Sequence, residues 1–345
     1  MKRLLLLLLG LAPIAPAQSP HDFLQRGTIA GGERQWLVHL PPPVHGNAKL
    51  PLVVAFHGHY GTPTGMERLT GLDRIADRDG FIVVYPAGID RSWAAGVNAP
   101  ADRQHVNDLA FVTALLQRLE TEYSIDPHRI VLTGFSNGAH FVNLLGCRLA
   151  GKISAIVPVS GTLAASQEAN CHPARPLTVI EFHGTSDPID PYAGGSIQVS
   201  GGGAVLPVKR NLADWARWDG CAPRAVSRPV AQGPNGLQVD LRSYPHCRDG
   251  VHVEFYRLAG AGHTWPGGPQ YLPPRWIGLT TDLVQASRII GAVATGPTLR
   301  SGAAASPVPH ADHQQPQEAP DRRSYERSGP NKPLNRDRSL GQRRS

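Results

Sequence analysis

The sequence of 345 residues predicts an α/β protein, with a mainly parallel sheet and helices on both of its faces. Apolar runs at 52–56, 81–85 and 130–132 are typical of buried strands. Apolar residues recur at helical spacing from 109 to 123 and again from 208 to 218. The alternation of strands and helices indicates one domain of this class. Asn107 and Asp108 are explained as the N-terminal cap of the first of these helices.

Residues 134–138 read Gly-Phe-Ser-Asn-Gly and join an apolar run to an amphipathic one. A serine between two glycines at a strand-to-helix turn is typical of a nucleophile elbow, whose strained backbone holds the hydroxyl above the edge of the sheet. Such a short pattern also occurs by chance, so the interpretation depends on partners for Ser136.

Two later strands are each followed by a candidate partner. Asp187 follows the apolar run 177–182, and His263 follows the run 253–258. The order serine, acid, histidine is that of the α/β-hydrolase fold. His263 would take the proton of Ser136 and return it to the leaving alcohol, while Asp187 would fix the histidine tautomer.

An oxyanion intermediate needs preorganised N–H donors. The sequence offers the backbone of Asn137, directly after the serine, and that of His59, in the loop after the first predicted strand of this region. His57, two residues earlier, is predicted to brace a turn through a hydrogen bond.

Four segments carry a family resemblance: His57-Gly58, 134–138, 183–195 and 262–268. Together they resemble the secreted polyhydroxybutyrate depolymerase and feruloyl esterase family, related to the carbohydrate acetyl esterases. The resemblance implies that Ser136, Asp187 and His263 form the triad. It also implies hydrolysis of carboxylic esters in polyesters or plant cell-wall polysaccharides. An asparagine after the serine, here Asn137, is more similar to the feruloyl and acetyl esterases of the family than to its polyester depolymerases.

The sequence departs from that family pattern in two places. Asp190 stands where members commonly carry an apolar residue, and Asp187 is preferred as the acid because it holds the matching motif position. The segment 59–62 replaces a more glycine-rich stretch, which would reshape the loop beside the oxyanion site and affect substrate preference. Tyr60, in this segment, is a candidate substrate-binding residue. Trp265 is a second candidate, since an indole can stack on a phenolic ring or a sugar, and Trp93 either does the same or packs in the core.

The N-terminal residues 1–17 predict a cleaved signal peptide: a basic start, a short apolar core and a small-residue site at 15–17. The apolar core is too short to span a bilayer. We therefore expect a secreted protein, extracellular or periplasmic, without a membrane anchor. In such a compartment the four cysteines predict two disulfides. Three pairings exist, of which Cys147 with Cys171 and Cys221 with Cys247 are preferred.

The net charge of +7 lies mostly outside the predicted catalytic domain, 18–296. Residues 2 and 3 contribute +2, and the segment 297–345 contributes nine basic minus five acidic residues, or +4, which leaves +1. So small a charge argues against a nucleic-acid surface. The Pro-, Ser- and Arg-rich segment 297–345 predicts a disordered tail. Residues 286–290 resemble the start of the family's closing helix, which normally continues with bulky aromatics. The sequence has none directly after Gly291, so the comparison predicts a truncated helix and a less covered sheet.

The leading hypothesis is a secreted serine esterase acting on feruloyl or acetyl esters of cell-wall polysaccharide. A polyhydroxybutyrate depolymerase is the alternative within the family, and a non-catalytic carbohydrate-binding protein is the alternative from another class. The expected partner is a polymeric ester, with no cofactor. No metal site is predicted, because no pair of cysteines has the spacing that zinc ligands favour.

Overall fold

The computed structural model describes residues 21–42, 48–197 and 202–296. The predicted signal peptide, 1–17, and the predicted tail, 297–345, lie outside these residues. The strands are β1 (Asp22–Ile29), β2 (Gly32–His39), β3 (Leu50–Phe56), β4 (Ile82–Pro86), β5 (Ile125–Phe135), β6 (Ala155–Val159), β7 (Thr178–Gly184), β8 (Gly195–Ser196), β9 (Ala204–Val205), β10 (Val226–Gln232), β11 (Gln238–Tyr244) and β12 (Val253–Ala259). The α-helices are α1 (Pro63–Thr70), α2 (Leu72–Asp79), α3 (Pro100–Arg103), α4 (Asp108–Glu122), α5 (Asn137–Leu149), α6 (Val208–Trp218), α7 (Pro274–Ile277) and α8 (Ala286–Thr295).

Ten strands form one sheet in the order β1-β2-β4-β3-β5-β6-β7-β12-β11-β10. The six central strands, from β4 to β12, are parallel to one another. The predicted α/β-hydrolase architecture is therefore confirmed, and the carboxyl ends of β3, β5, β7 and β12 meet at one edge of the sheet. The loops at that edge carry the predicted site residues.

The sheet separates two apolar layers. Along β3, Val54 and Phe56 belong to one layer, while Val53 and Ala55 belong to the other, because successive side chains of a strand point to opposite faces. Helices α4, α5 and α6 cover the first face, and α1, α2 and α8 cover the second. Coverage on both faces explains why the central strands read as continuous apolar runs in the sequence.

Both edges of the sheet are antiparallel, which the sequence analysis did not predict. The hairpin β1–β2 joins β4 at one edge, and the hairpin β10–β11 joins β12 at the other. The strand β10 is mostly exposed and contains Pro229, where its register with β11 shifts. A proline is tolerated there because an edge strand leaves every second N–H without a ladder partner.

The expectation of a poorly covered sheet near the end of the domain is wrong. Helix α8 runs for ten residues, and Ile290 and Ala294 are fully buried on it. Gly291 lies so close to α2 that a Cβ atom would come 2.6 Å from a side-chain carbon of Ile75. Small residues on α8 thus let it pack closely against α2, and bulky aromatics are not needed there.

The disulfides join Cys147 to Cys171 and Cys221 to Cys247. This is the pairing preferred from the sequence. The first links the last turn of α5 to the segment before β7, and the second links the end of α6 to the segment before β12. Within the described parts of the chain, none of the helices has the length and apolar character that crossing a membrane requires.

Candidate active site

Ser136 lies at the junction of β5 and α5, with φ 55° and ψ −120°. This backbone conformation is strained for a non-glycine residue. Its N–H donates to the carbonyl of Val159 at 3.0 Å, which fixes the turn. A Cβ on Gly134 would lie 2.3 Å from the carbonyl oxygen of Gly138, and one on Gly138 would lie 2.2 Å from that of Phe56. Both glycines are therefore required sterically, which explains the spacing of the sequence motif.

Asp187 and His263 meet because they follow the adjacent parallel strands β7 and β12. Nδ1–H of His263 donates to Oδ2 of Asp187 at 2.8 Å, and both side chains are buried. The other oxygen, Oδ1, accepts from the N–H groups of Ile189 and Asp190 at 2.9 and 2.8 Å. Burial alone would raise the pKa of Asp187, but the charge and hydrogen bond of His263 hold it below its ordinary value, with a smaller contribution from His183.

A cavity of about 380 Å³ opens at this edge of the sheet, and both Ser136 and His263 line it. Much of its wall is apolar, formed by Met66, Leu69, Phe135, Ile189, Ile197 and Leu272. The ring of Phe135 lies 4.9 Å from that of His263, centre to centre. The cavity thus brings the predicted nucleophile and base to one apolar space of the size that small ligands occupy.

The two residues expected to donate to an oxyanion, His59 and Asn137, also line the cavity. Asn137 is the first residue of α5, and the first N–H groups of a helix have no partner within it. Its side chain has a separate role. Oδ1 accepts from the backbone N–H of Trp93 at 2.7 Å, and Nδ2 donates to the carbonyl of Trp93 at 3.2 Å, so Asn137 holds a neighbouring buried loop.

His57 braces the turn that carries His59, as predicted. Its Nε2 accepts from the N–H of Gly88 at 3.0 Å, so Nδ1 carries the proton and donates to the carbonyl of Gly58 at 2.8 Å. Burial lowers the pKa of His57 to about 4, which keeps the ring neutral in this bridging tautomer.

The two aromatic residues expected to bind substrate have different positions. Tyr60 is 62% exposed, lines the cavity and stacks on His59 at 3.9 Å between ring centres. Trp265 is fully buried, and its Nε1–H donates to Ser287 at 3.0 Å. The expectation that Trp265 contacts substrate is therefore wrong, because its ring fills the core beneath the helix α8. Trp93 is likewise a core residue, stacked on Phe141.

Asp190 does not compete with Asp187 for His263. It is buried and pairs with His140 of α5, with 2.8 Å between its Oδ2 and Nε2 of the histidine. His140 lies one helical turn after Ser136, a spacing that could have indicated from the sequence alone that it faces the site. Both His140 and Asp190 line the cavity.

Sequence reasoning missed two further residues around the base. The hydroxyl of Tyr271 donates to the carbonyl of His263 at 3.0 Å, and its ring packs edge-on against Phe135. His183, near the carboxyl end of the strand β7, is fully buried and donates from Nε2 to the carbonyl of Asp190 at 3.0 Å. Burial would lower its pKa, but Glu181 and the two aspartates raise it to about 9. Neither residue has a sequence pattern that distinguishes it from a core residue.

A group of side chains away from the cavity has the composition of a cation site. Ligand atoms of Asp22, His39 and Asp73 lie within 4.8 Å of one another. His39 contacts Asp22 at 2.7 Å through Nδ1 and Asp77 at 2.9 Å through Nε2. Both ring nitrogens are thus occupied by carboxylates, and none of these residues lines the cavity.

Comparison with known proteins yields one family match and several relatives. The phospholipase/carboxylesterase family matches residues 98–200, a range that contains Ser136 and Asp187. The chain is 29% identical to feruloyl esterase B from Piromyces equi over 67% of this chain and 42% of that protein. It is 28% identical to a bifunctional acetylxylan esterase/xylanase from Neocallimastix patriciarum, over 66% and 31%. The match thus spans less than half of either relative.

Other relatives match over more of their length. Feruloyl esterase D from Neurospora crassa is 26% identical over 72% of this chain and 84% of that protein. Among solved structures, an acetyl xylan esterase from Aspergillus awamori has a TM-score of 0.47 at 16% identity, over 70% of this chain and 94% of that one.

Proposed function

We propose that the chain, which is similar to carboxylesterases and feruloyl esterases, is a secreted serine esterase. It hydrolyses carboxylic esters, with feruloyl or acetyl groups on plant cell-wall polysaccharide as its substrates. The observation that carries this proposal is the 2.8 Å hydrogen bond between Asp187 and His263, beside a cavity that the strained Ser136 also lines.

In the proposed reaction, Oγ of Ser136 attacks the ester carbonyl carbon, and Nε2 of His263 takes the hydroxyl proton. Asp187 stabilises the imidazolium that forms. The N–H groups of Asn137 and His59 donate to the oxyanion. His263 then returns the proton to the leaving alcohol, which leaves an acyl group on Ser136. A water molecule, activated by the same histidine, attacks this acyl-enzyme and releases the acid.

The shape and chemistry of the cavity support an ester with an apolar acyl group. Its wall is largely aliphatic and aromatic, and Tyr60 and Tyr271 are both partly exposed at it. Aromatic side chains of this kind stack favourably on a phenolic ring or a sugar. The names of the relatives, feruloyl esterase and acetylxylan esterase, support the same substrate class. Export is supported by the two disulfides, which persist in oxidising compartments.

The test is a panel of p-nitrophenyl acetate, methyl ferulate and a polyhydroxybutyrate suspension, assayed with wild type and Ser136→Ala. We expect wild type to hydrolyse the first two esters and Ser136→Ala to retain only a small residual rate. Clearing of the suspension would identify a polyester depolymerase instead. Equal rates for both proteins on every ester would overturn the esterase proposal and favour a non-catalytic binding protein.

A further inference from the structure

Beside the histidine–carboxylate pair of the proposed triad lies a second such pair, His140 with Asp190. The two pairs share a turn of the chain, because Asp187 and Asp190 are three residues apart after β7. The N–H of Asp190 donates to Oδ1 of Asp187 at 2.8 Å. A displacement of Asp190 would therefore move the carboxylate that orients His263.

His140 belongs to the other side of the site. It lies on α5, one turn after Ser136, which is the N-cap residue of that helix. Its Nδ1–H donates to the carbonyl of Thr162 at 2.7 Å, which fixes the ring orientation with Nε2 at 2.8 Å from Oδ2 of Asp190. The ion pair thus joins the element that carries the nucleophile to the turn that carries the acid.

We propose that His140 and Asp190 are positioning residues of the esterase reaction. Their contact holds the turn that carries Asp187 against helix α5, so that Asp187, His263 and Ser136 keep their relative positions. This inference rests on the proposed function of the same site. Neither residue needs to touch the substrate, since each acts through the group beside it. Both side chains are at most 2% exposed, so water competes little for their contact.

The charges around His140 favour its protonated form. Burial alone would lower the pKa of His140, but the charge and hydrogen bond of Asp190 and the carbonyl of Thr162 raise it above its ordinary value. From β7, His183 opposes this effect with its own positive charge. Nε2 of His183 lies 3.8 Å from Oδ2 of Asp187 and 4.0 Å from Oδ1 of Asp190.

Glu181, also on β7, lies 3.7 Å from Nδ1 of His183 and accepts from Asn211 at 2.9 Å. The buried cluster therefore contains three carboxylates and the two histidines His140 and His183, with His263 at its margin. Burial and the charge of Asp190 raise the pKa of Glu181, although His183 and Asn211 oppose this.

The raised pKa of His140 makes its contact with Asp190 depend on pH. A group whose pKa is raised on folding holds its proton up to that pKa and loses it above. Above the pKa of His140, the lone pair of its Nε2 would face the Asp190 carboxylate, and the contact between the two side chains would be lost.

The experiment compares kcat and KM of the full chain for Asp190→Ala, Asp190→Asn and wild type on the best ester of the panel. We expect Asp190→Ala to lower kcat about 10- to 100-fold, with KM within about threefold, since misplacement of a catalytic group by about 1 Å costs this much. Asp190→Asn should recover most of kcat, because the carboxamide can donate to Nε2 of neutral His140.

The pH profile is the readout that a purely structural role would not change. Wild-type kcat, corrected for the rate of Ser136→Ala, should decline as pH rises through the raised pKa of His140. In Asp190→Asn this decline should be smaller, because the carboxamide bonds the neutral ring at any pH. The same decline in both proteins would overturn the proposal.

The matched control is Asp22→Ala, which breaks a buried histidine–aspartate contact of 2.7 Å with His39, away from the cavity. It should lower thermal stability without changing kcat. A folded Asp190→Ala protein with wild-type kcat, or with a loss no larger than that of Asp22→Ala, would overturn the positioning role. If Asp190→Ala does not fold, Asp190→Asn and its pH profile decide. Inactivity of Ser136→Ala together with full activity of Asp190→Ala would leave the proposed function standing and remove only this inference.

Discussion

The carboxylate of Asp187 accepts a hydrogen bond from Nδ1 of His263 at 2.8 Å, while Asp190, three residues later, pairs with His140. Two adjacent carboxylates therefore have distinct partners. The sequence offered both as candidates for the acid, and the direction in which each side chain leaves the turn after β7 separates them.

The first prediction ranks these two carboxylates. Asp187→Asn removes the charge that stabilises the imidazolium and allows the wrong tautomer of His263, so kcat should fall on the order of 10³- to 10⁴-fold. Asp190→Asn should cost at least about tenfold less, because it acts only through the position of Asp187. Steady-state kinetics with methyl ferulate measure both. The reverse order would identify Asp190 as the acid.

The second prediction concerns the side chain of Asn137. Asn137→Ala leaves its backbone N–H in place but removes both hydrogen-bond partners of the buried Trp93 backbone. Because each unsatisfied buried group costs about 1–3 kcal/mol, the free energy of unfolding should fall by about 2–4 kcal/mol in urea denaturation. Asn107→Ala is the control. It removes the cap that Asn107 provides to the N–H of Ala110, and should cost about 1 kcal/mol. Equal losses would show that the hold on Trp93 contributes little.

The third prediction follows from His57. Its pKa is lowered from an ordinary 6.5 to about 4 in the folded protein, so between these values the unfolded chain binds the proton and the folded chain does not. The free energy of unfolding should therefore decrease as pH falls from about 6.5 towards 4, by on the order of 3 kcal/mol from this group. Urea denaturation of wild type and His57→Gln at several pH values measures the difference. Parallel curves would contradict the neutral bridging role of His57.

The fourth prediction separates the two aromatic residues first considered for substrate binding. Trp265→Ala should lower the free energy of unfolding by about 3–5 kcal/mol, because the ring is fully buried. Tyr60→Ala should leave the stability nearly unchanged and raise KM for an aromatic ester by roughly two- to tenfold, the loss of one stacking contact. Thermal denaturation and kinetics on methyl ferulate test both. An increase in KM for folded Trp265→Phe larger than that for Tyr60→Ala would restore the original interpretation.

Much of the central fold follows from local sequence. The apolar runs that become β3, β4, β5, β7 and β12 are buried on both faces, so their composition alone indicates parallel strands. The helix α6 begins and ends at the predicted residues, Val208 and Trp218. Gly134 and Gly138 are required by steric contacts at the elbow itself, which is why a motif of five residues could predict this turn.

Other features depend on contacts that no local pattern encodes. The outermost strands β1 and β10 have weak strand signals because most of their residues are exposed or half-buried and need not be apolar. Trp265 follows the proposed base by two residues, yet the packing of α8 decides that its ring enters the core. Which carboxylate faces His263 is likewise settled by the turn after β7 and by α5. Sequence by itself determined the order of the central strands, the main helices and the proposed catalytic residues, since these reflect burial and backbone sterics along the chain. Only the tertiary structure decided which of those residues meet, because their pairing depends on side-chain directions set by distant elements.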